Sequence, residues 1–267
     1  MIGKFTEVPM SEIYTSYSEI VEQIEVYEGD TVLVGSDITR LAVEAYRRGE
    51  LFDPNIFIDS LIRKIGEKGT ILFPTYNWGF CSGEPFDYRH TLSKVGSLSN
   101  VALKRGDFRR TRHPIYSFAV WGKAQDYLIS LDNKSAFGPD SPFAFLHANH
   151  GKMLIIGLDY QKSFTYVHYV EEREKVHYRY LKDFTGEYID ENGISTERTY
   201  SMLVRDIDRG VITSIGGMGD ILDKNGAAVM KTINHVDFRV VDLHKAYDLI
   251  RDDIVNNEAR NLFTIAG

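Results

Sequence analysis

Residues 29–49, GDTVLVGSDITRLAVEAYRRG, carry the pattern from which the fold is read. Gly29-Asp30 is turn chemistry, and TVLVG (31–35) is a short β-branched apolar run of the kind buried inside a sheet. Ser36 or Asp37 can then cap a helix that ends near Gly49. Working outward, Asp53-Pro54 opens a second helix through Phe57, Leu61, Ile62 and Ile65, closed by Gly66. KGTILFPTYNW (68–78) and GKMLIIGLDY (151–160) read as two more buried strands that leave through polar residues. Strands alternating with helical patterns predict an α/β fold, layered α/β/α around a central mixed sheet.

The flanks fill in around this frame. Ile13, Tyr17, Ile20, Val21, Ile24 and Val26 have near-helical spacing and predict an amphipathic first helix over 11–28. From 84 to 115 the pattern loosens into a loop-rich wall in which only 97–104 looks helical. SFAVWG (117–122) reads as a strand, AQDYLISL (124–131) as a short helix, and 241–257 as a closing amphipathic helix. Residues 172–241 are more polar and strand-rich, with hairpin-like turns at Glu191-Asn192-Gly193 and Lys224-Asn225-Gly226. No repeat or linker divides the chain, so 1–267 is read as a single domain with a strand-rich C-terminal lobe.

Composition excludes whole classes of function. A net charge of -7 argues against nucleic acid as the main partner, because phosphate neutralisation calls for a basic face. The longest apolar runs, such as Met153–Leu158, are far shorter than the roughly 20 residues of a membrane span. MIGKFTEVPMSE lacks the basic head and apolar run of a secretory signal, and the single Cys81 allows no internal disulfide, so the cytoplasm is the expected compartment.

Common catalytic signatures are missing: no GxSxG elbow, no GxxxxGK[ST] loop, no GxGxxG fingerprint. Gly216, Gly217 and Gly219 lack the last motif's spacing and read as a flexible loop or tight turn. The most informative segment is FTYVHYVEE (164–172). His168 and Glu171 stand three apart, so on one helical turn the carboxylate can fix the imidazole tautomer and leave the other nitrogen free to take a proton. Glu174 and His177 form an ExxH, but a di-iron bundle needs a second one and further glutamates, so no metal is expected. RRTRHPIYS (109–117) places Arg109, Arg110, Arg112 and His113 before a strand, which suits a phosphorylated ligand, while at least two of the arginines are read as surface residues. VGSDITRL (34–41) brings a hydroxyl-bearing turn to a helix start, where backbone amides can hold a pyrophosphate.

In this order and spacing, GDTVLVGSDITRL, KGTILFPTYNW, FDY, RRTRHPIYSFAVWG, GPDSPFAFL, GKMLIIGLDY and TYVHYVEE resemble the aminoglycoside 3-N-acetyltransferase family, closely over 28–180 and loosely beyond. The resemblance implies an acetyl-coenzyme A-dependent N-acetyltransferase, with 28–180 as cofactor-binding and catalytic core and 183–241 as a lobe covering the acceptor. His168 and Glu171 fall on the family's catalytic histidine and glutamate. Ser36, Asp37 and Ile38 fall on its coenzyme A turn, where Gly35 replaces the usual His and Asp37 the second Ser. Thr75, Arg112, His113 and Ser117 match positions expected beside the cofactor, and Asp140-Ser141 a structural turn.

An amine must lose a proton to attack a thioester; His168, oriented by Glu171, can accept it, and backbone amides near Ser36 or the Thr75 hydroxyl can meet the oxyanion. Direct transfer is expected, because Cys81 has no base beside it in sequence. The expected acceptor is a small-molecule amine, an amino sugar or nucleotide-linked amino sugar, because 164–182 mixes both signs of charge, where a polycationic antibiotic calls for acidic walls. Aminoglycoside resistance, a non-catalytic ligand-binding relative and a Ser–His–Glu hydrolase are the rival readings, and a homodimer is one assembly open to the chain.

Overall fold

The computed structural model describes residues 14–266. Ile13 and the start of the helix expected over 11–28 lie outside the described residues; the rest forms a single 3-10 turn, Ile20–Gln23. Tyr17, Ile20, Val21, Ile24 and Val26 are buried, as their spacing implies, but polar groups draw the backbone elsewhere. Ser16 Oγ donates to Glu50 Oε2 at 3.1 Å, and the Thr15 amide donates to Asn234 Oδ1 at 3.1 Å, contacts that compete with helix formation.

β1 (Thr31–Ser36) runs into α1 (Thr39–Arg47), where Asp37 Oδ1 accepts from the Thr39 amide at 2.9 Å. α2 (Pro54–Ile65) starts on Asp53, whose carboxylate accepts from the Asn55 amide at 2.8 Å, and stops at Gly66, φ 67°. β2 (Thr70–Pro74), the short β3 (Phe86–Asp87), α3 (Ser97–Lys104), the short β4 (Arg109–Arg110), β5 (Phe118–Gly122) and α4 (Gln125–Ser130) follow. Then come α5 (Pro142–Ala148), capped by the Ser141 hydroxyl, β6 (Lys152–Ile156), the single turn α6 (Tyr160–Ser163) and α7 (Val167–Arg173). β7 (Arg179–Ile189) and β8 (Ser195–Arg205) form a long hairpin around the predicted turn at Glu191-Asn192-Gly193. The chain ends with β9 (Val211–Thr213), α8 (Gly216–Lys224), β10 (Ala228–Ile233), β11 (Val236–Asp242), α9 (Leu243–Asn256) and β12 (Phe263–Ile265).

Seven strands make the central sheet in the order β10-β11-β6-β1-β2-β5-β4. β1 is parallel to β2 and β6; β5 and β11 extend the sheet antiparallel, which makes it mixed. Alternate strand residues feed two cores. Val32, Val34, Leu154 and Ile156 face α1, α2 and α3, while Leu33, Met153 and Ile155 face the layer holding α5, α7 and α9. Both faces are therefore covered, giving the α/β/α layering.

The C-terminal half departs from its reading in three places. Lys224-Asn225-Gly226 ends α8 and is no hairpin; the tight hairpin lies at Asn234-His235, both with positive φ, between β10 and β11. Those two strands pair into the central sheet, so 183–241 contributes to it as well as to the β7–β8 hairpin. Gly216, Gly217 and Gly219 lie in α8, where a Cβ on Gly219 would come within 2.4 Å of the Tyr160 ring: close packing, and not loop freedom, calls for glycine there.

Candidate active site

A cavity of about 250 Å³ opens where three parallel strands end. Gly35 and Ser36 line it from β1, Pro74 from β2 and Leu158 from just beyond β6. Because β1 has β2 on one side and β6 on the other, this is the switch point at which open α/β sheets bind ligands. Gly96 and Ser99 line it too; Gly96 is the N-cap of α3, which has no side-chain cap, and it lies beside Ser36. Lys162 adds a cation.

His168 stands on α7 at the inner end. Its Nδ1 is 2.6 Å from Glu171 Oε2, one turn on, leaving Nε2 for proton exchange, and its side chain is 18% exposed. Glu171 is fully buried, and two further groups hold it: Tyr178 donates to Oε1 at 2.9 Å, and Arg179 Nε lies 2.9 Å from Oε2. Burial alone would raise the Glu171 carboxyl, but His168, Arg179 and Tyr178 outweigh it and keep it below the usual range, hence ionised. Burial and the positive field of Arg179 lower the His168 pKa, against the pull of Glu171, so the imidazole is neutral near pH 7.

His168, Trp78 and Tyr116 also line a second cavity, of about 350 Å³, whose other wall comes from the end of β8 and from Ile207. The histidine thus stands between two chambers. Tyr178, Arg179, Trp78 and Tyr116 were missed by the sequence reading, since no spacing rule connects Arg179 or Trp78 to α7.

The other predicted site residues are distributed differently. Asp37 caps α1 and Ile38 is the residue at that helix's N-cap; neither lines the cavity with Ser36. Thr75 and Ser117 are fully buried, their hydroxyl oxygens 2.8 Å apart, tying the end of β2 to the start of β5. Arg110 Nε donates to Ser117 Oγ at 3.0 Å, and its guanidinium also reaches the Thr91 carbonyl at 2.5 Å. Arg110, one of the cluster of which at least two members were expected at the surface, is buried, because loop carbonyls and a hydroxyl substitute for water. Arg112 pairs with Glu191 at 3.3 Å and lines a separate cavity with Arg89 and Arg109, so it does not join Ser36. His113 is buried, with Nδ1 accepting from the Tyr116 amide at 3.1 Å, and burial lowers its pKa to about 4.

Burial pushes the Cys81 thiol up to about 11, so it is no ready nucleophile. Glu174 accepts from Tyr247 Oη at 3.0 Å and Arg251 Nε at 3.2 Å; among the described residues no group of three or more His, Cys, Asp or Glu is placed to hold a metal. No helix among them is long and apolar enough to cross a membrane.

Residues 44–254 match the family model of aminoglycoside 3-N-acetyltransferase. Aminoglycoside N(3)-acetyltransferase VII of Streptomyces paromomycinus is 30% identical over 168 residues, 54% of this chain and 54% of that protein, so the match spans about half that relative's length. The solved structure of aminoglycoside acetyltransferase AAC(3)-Xa superposes with a TM-score of 0.75 at 19% identity, covering 90% of this chain and 91% of that one. AAC-IIIb in binary complex with CoASH superposes with a TM-score of 0.74 at 17% identity, covering 91% and 96%. With its family model matched from 44 to 254, this chain belongs to the aminoglycoside 3-N-acetyltransferase family.

Proposed function

We propose that the protein transfers the acetyl group of acetyl-coenzyme A to the amino group of an amino sugar, with His168 as general base and Glu171 as its orienting carboxylate. The observation that carries this reading is the shared position of His168 between two chambers: a base set between two ligand spaces suits a two-substrate transfer. The chamber at the strand ends fits a pantetheine arm with its phosphates, because hydroxyls, the uncapped start of α3 and Lys162 all lie along it. AAC-IIIb, which shares the fold, binds CoASH. Ser36, Ser99, the Gly96–Ser97 amides and Lys162 would hold the cofactor, which supplies an acetyl thioester. Thr75 and Ser117 would act from behind, fixing the strand ends that shape the chamber.

His168 Nε2 accepts the amine proton as the N–C bond forms and returns it to the sulfur as the C–S bond breaks. Glu171 keeps the proton of the resting imidazole on Nδ1 and stabilises the imidazolium that forms. Cys81, a half-buried thiol with a raised pKa, takes no part, which favours direct transfer. The 183–241 segment provides the acceptor wall through the end of β8. A second reading, an aminoglycoside acceptor, is favoured by the relatives' names.

The test is thiol release from acetyl-coenzyme A with and without amines. Release that requires an amine, with the N-acetyl product seen by mass spectrometry, supports transfer; release in water alone supports a hydrolase instead.

A further inference from the structure

The second chamber has a chemistry of its own. Arg179 and Arg205 are direct partners in the β7–β8 register, so their side chains leave the hairpin on one face, and both line this chamber with His168. Like charges set opposite each other are destabilising unless something neutralises them. Glu171 neutralises Arg179 at 2.9 Å. Arg205 has no ion-pair partner among the described residues, and its field, like that of Arg179, lowers the His168 pKa.

Thr213, whose hydroxyl accepts from Arg179 at 2.6 Å, is polar; the rest of the wall is apolar or aromatic: Trp78, Tyr116, Met202, Leu203, Val204 and Ile207. No carboxylate lines it among the described residues. Asp206 beside Arg205 is engaged by the Arg209 amide at 3.2 Å, and Asp208 and Asp220 line neither chamber. Glu171 approaches from behind the base and is fully occupied by His168, Tyr178 and Arg179. A polycation entering here would meet a cation and no counter-charge.

We infer that the acceptor is an amine bearing an anionic group, a carboxylate or a phosphate, which docks on Arg205 while the amino group faces His168. Trp78 and Tyr116 line the space between the two ends, Trp78 being the more exposed of the two. The guanidinium fork matches the paired oxygens of either anion, and one unneutralised arginine is what such a ligand requires. This inference rests on the acetyl-transfer reading for its amine, but its anion site can be tested apart from turnover.

The experiment has a binding arm and a turnover arm. Calorimetry compares glucose 6-phosphate with glucose for the wild type and Arg205→Gln. Thiol release compares kcat/KM for glucosamine 6-phosphate, 2-amino-2-deoxyglucuronic acid, glucosamine and kanamycin in both proteins and in Arg205→Glu. The wild type should bind glucose 6-phosphate about ten- to a hundredfold more tightly than glucose, as expected of hydrogen bonds to a charged group. Anionic amines should outrank glucosamine and kanamycin, and the larger advantage, of phosphate or of carboxylate, identifies the source. Arg205→Gln should abolish both preferences and Arg205→Glu should favour kanamycin, each variant keeping the wild-type melting shift with coenzyme A. Kanamycin as the best wild-type acceptor, or a ranking untouched by Arg205→Gln, overturns the inference. Thiol release with no amine, alongside an intact Arg205-dependent preference for glucose 6-phosphate, overturns acetyl transfer and leaves the anion site standing.

Discussion

Arg179 Nε lies 2.9 Å from Glu171 Oε2, the same oxygen that stands 2.6 Å from His168 Nδ1. One buried carboxylate oxygen therefore serves both an imidazole and a guanidinium. Arg179 stabilises the charge of Glu171 inside the protein and, by its own charge, opposes protonation of His168. The pairing keeps the imidazole oriented by a carboxylate without letting it become a resident imidazolium.

Replacing Arg179 by Met should show both effects. Removing one partner of a buried pair costs about 3–5 kcal/mol, read in denaturant unfolding. With the opposing charge gone, protonation of His168 becomes easier and its pKa rises. Activity that needs neutral His168 is lost as pH falls through that pKa, so the acidic limb of kcat/KM should move to higher pH. A limb at the wild-type position would contradict the assignment.

His113 predicts an acid-labile fold. Its pKa falls from 6.5 in the unfolded chain to about 4 when buried, so between these values the unfolded state binds more protons and stability drops as pH is lowered. The shift corresponds to about 3 kcal/mol across that window. His113→Gln should flatten the dependence of unfolding free energy on pH between 6.5 and 4. An equally steep dependence in the variant would show that other groups carry it.

Gly219→Ala probes the packing of α8. The added Cβ would meet the Tyr160 ring at 2.4 Å, and Tyr160 is held by its hydrogen bond to Asp223 at 2.6 Å and by Arg239 over its face. Neither helix nor ring can move without loss, and overpacking of about 1–3 kcal/mol is expected in thermal or denaturant unfolding. A variant as stable as wild type would mean that the helix slides freely.

Local rules account for what was legible in the sequence. α2 was readable to the residue because Asp53, Pro54 and Gly66 are start and stop signals that act within a few residues. The His168–Glu171 contact was readable because a helical turn sets it. What was not legible depends on distant chain segments. Helical spacing from Tyr17 to Val26 marks burial correctly, yet Glu50 and Asn234, far along the chain, compete for that backbone. Arg110 and Arg112 stand two apart in sequence and look alike, but one is buried beneath Thr91 and Ser117 while the other faces a cleft with Glu191. Arg179 and Arg205 become neighbours only through the hairpin register.

In the proposed mechanism, His168 removes a proton from an acceptor amine bound opposite the cofactor chamber. Its most direct test is thiol release by His168→Ala, read beside coenzyme A-induced stabilisation of the same protein. Saturating coenzyme A should raise the stability of variant and wild type alike, by about 2.7 kcal/mol at a hundredfold excess over its dissociation constant, because Ser36, Ser99 and Lys162 are untouched. Amine-dependent turnover by the variant should fall by about a hundred- to ten-thousand-fold, the range of a positioned general base. Near-normal turnover by His168→Ala across neutral pH, with coenzyme A still bound, would contradict the claim.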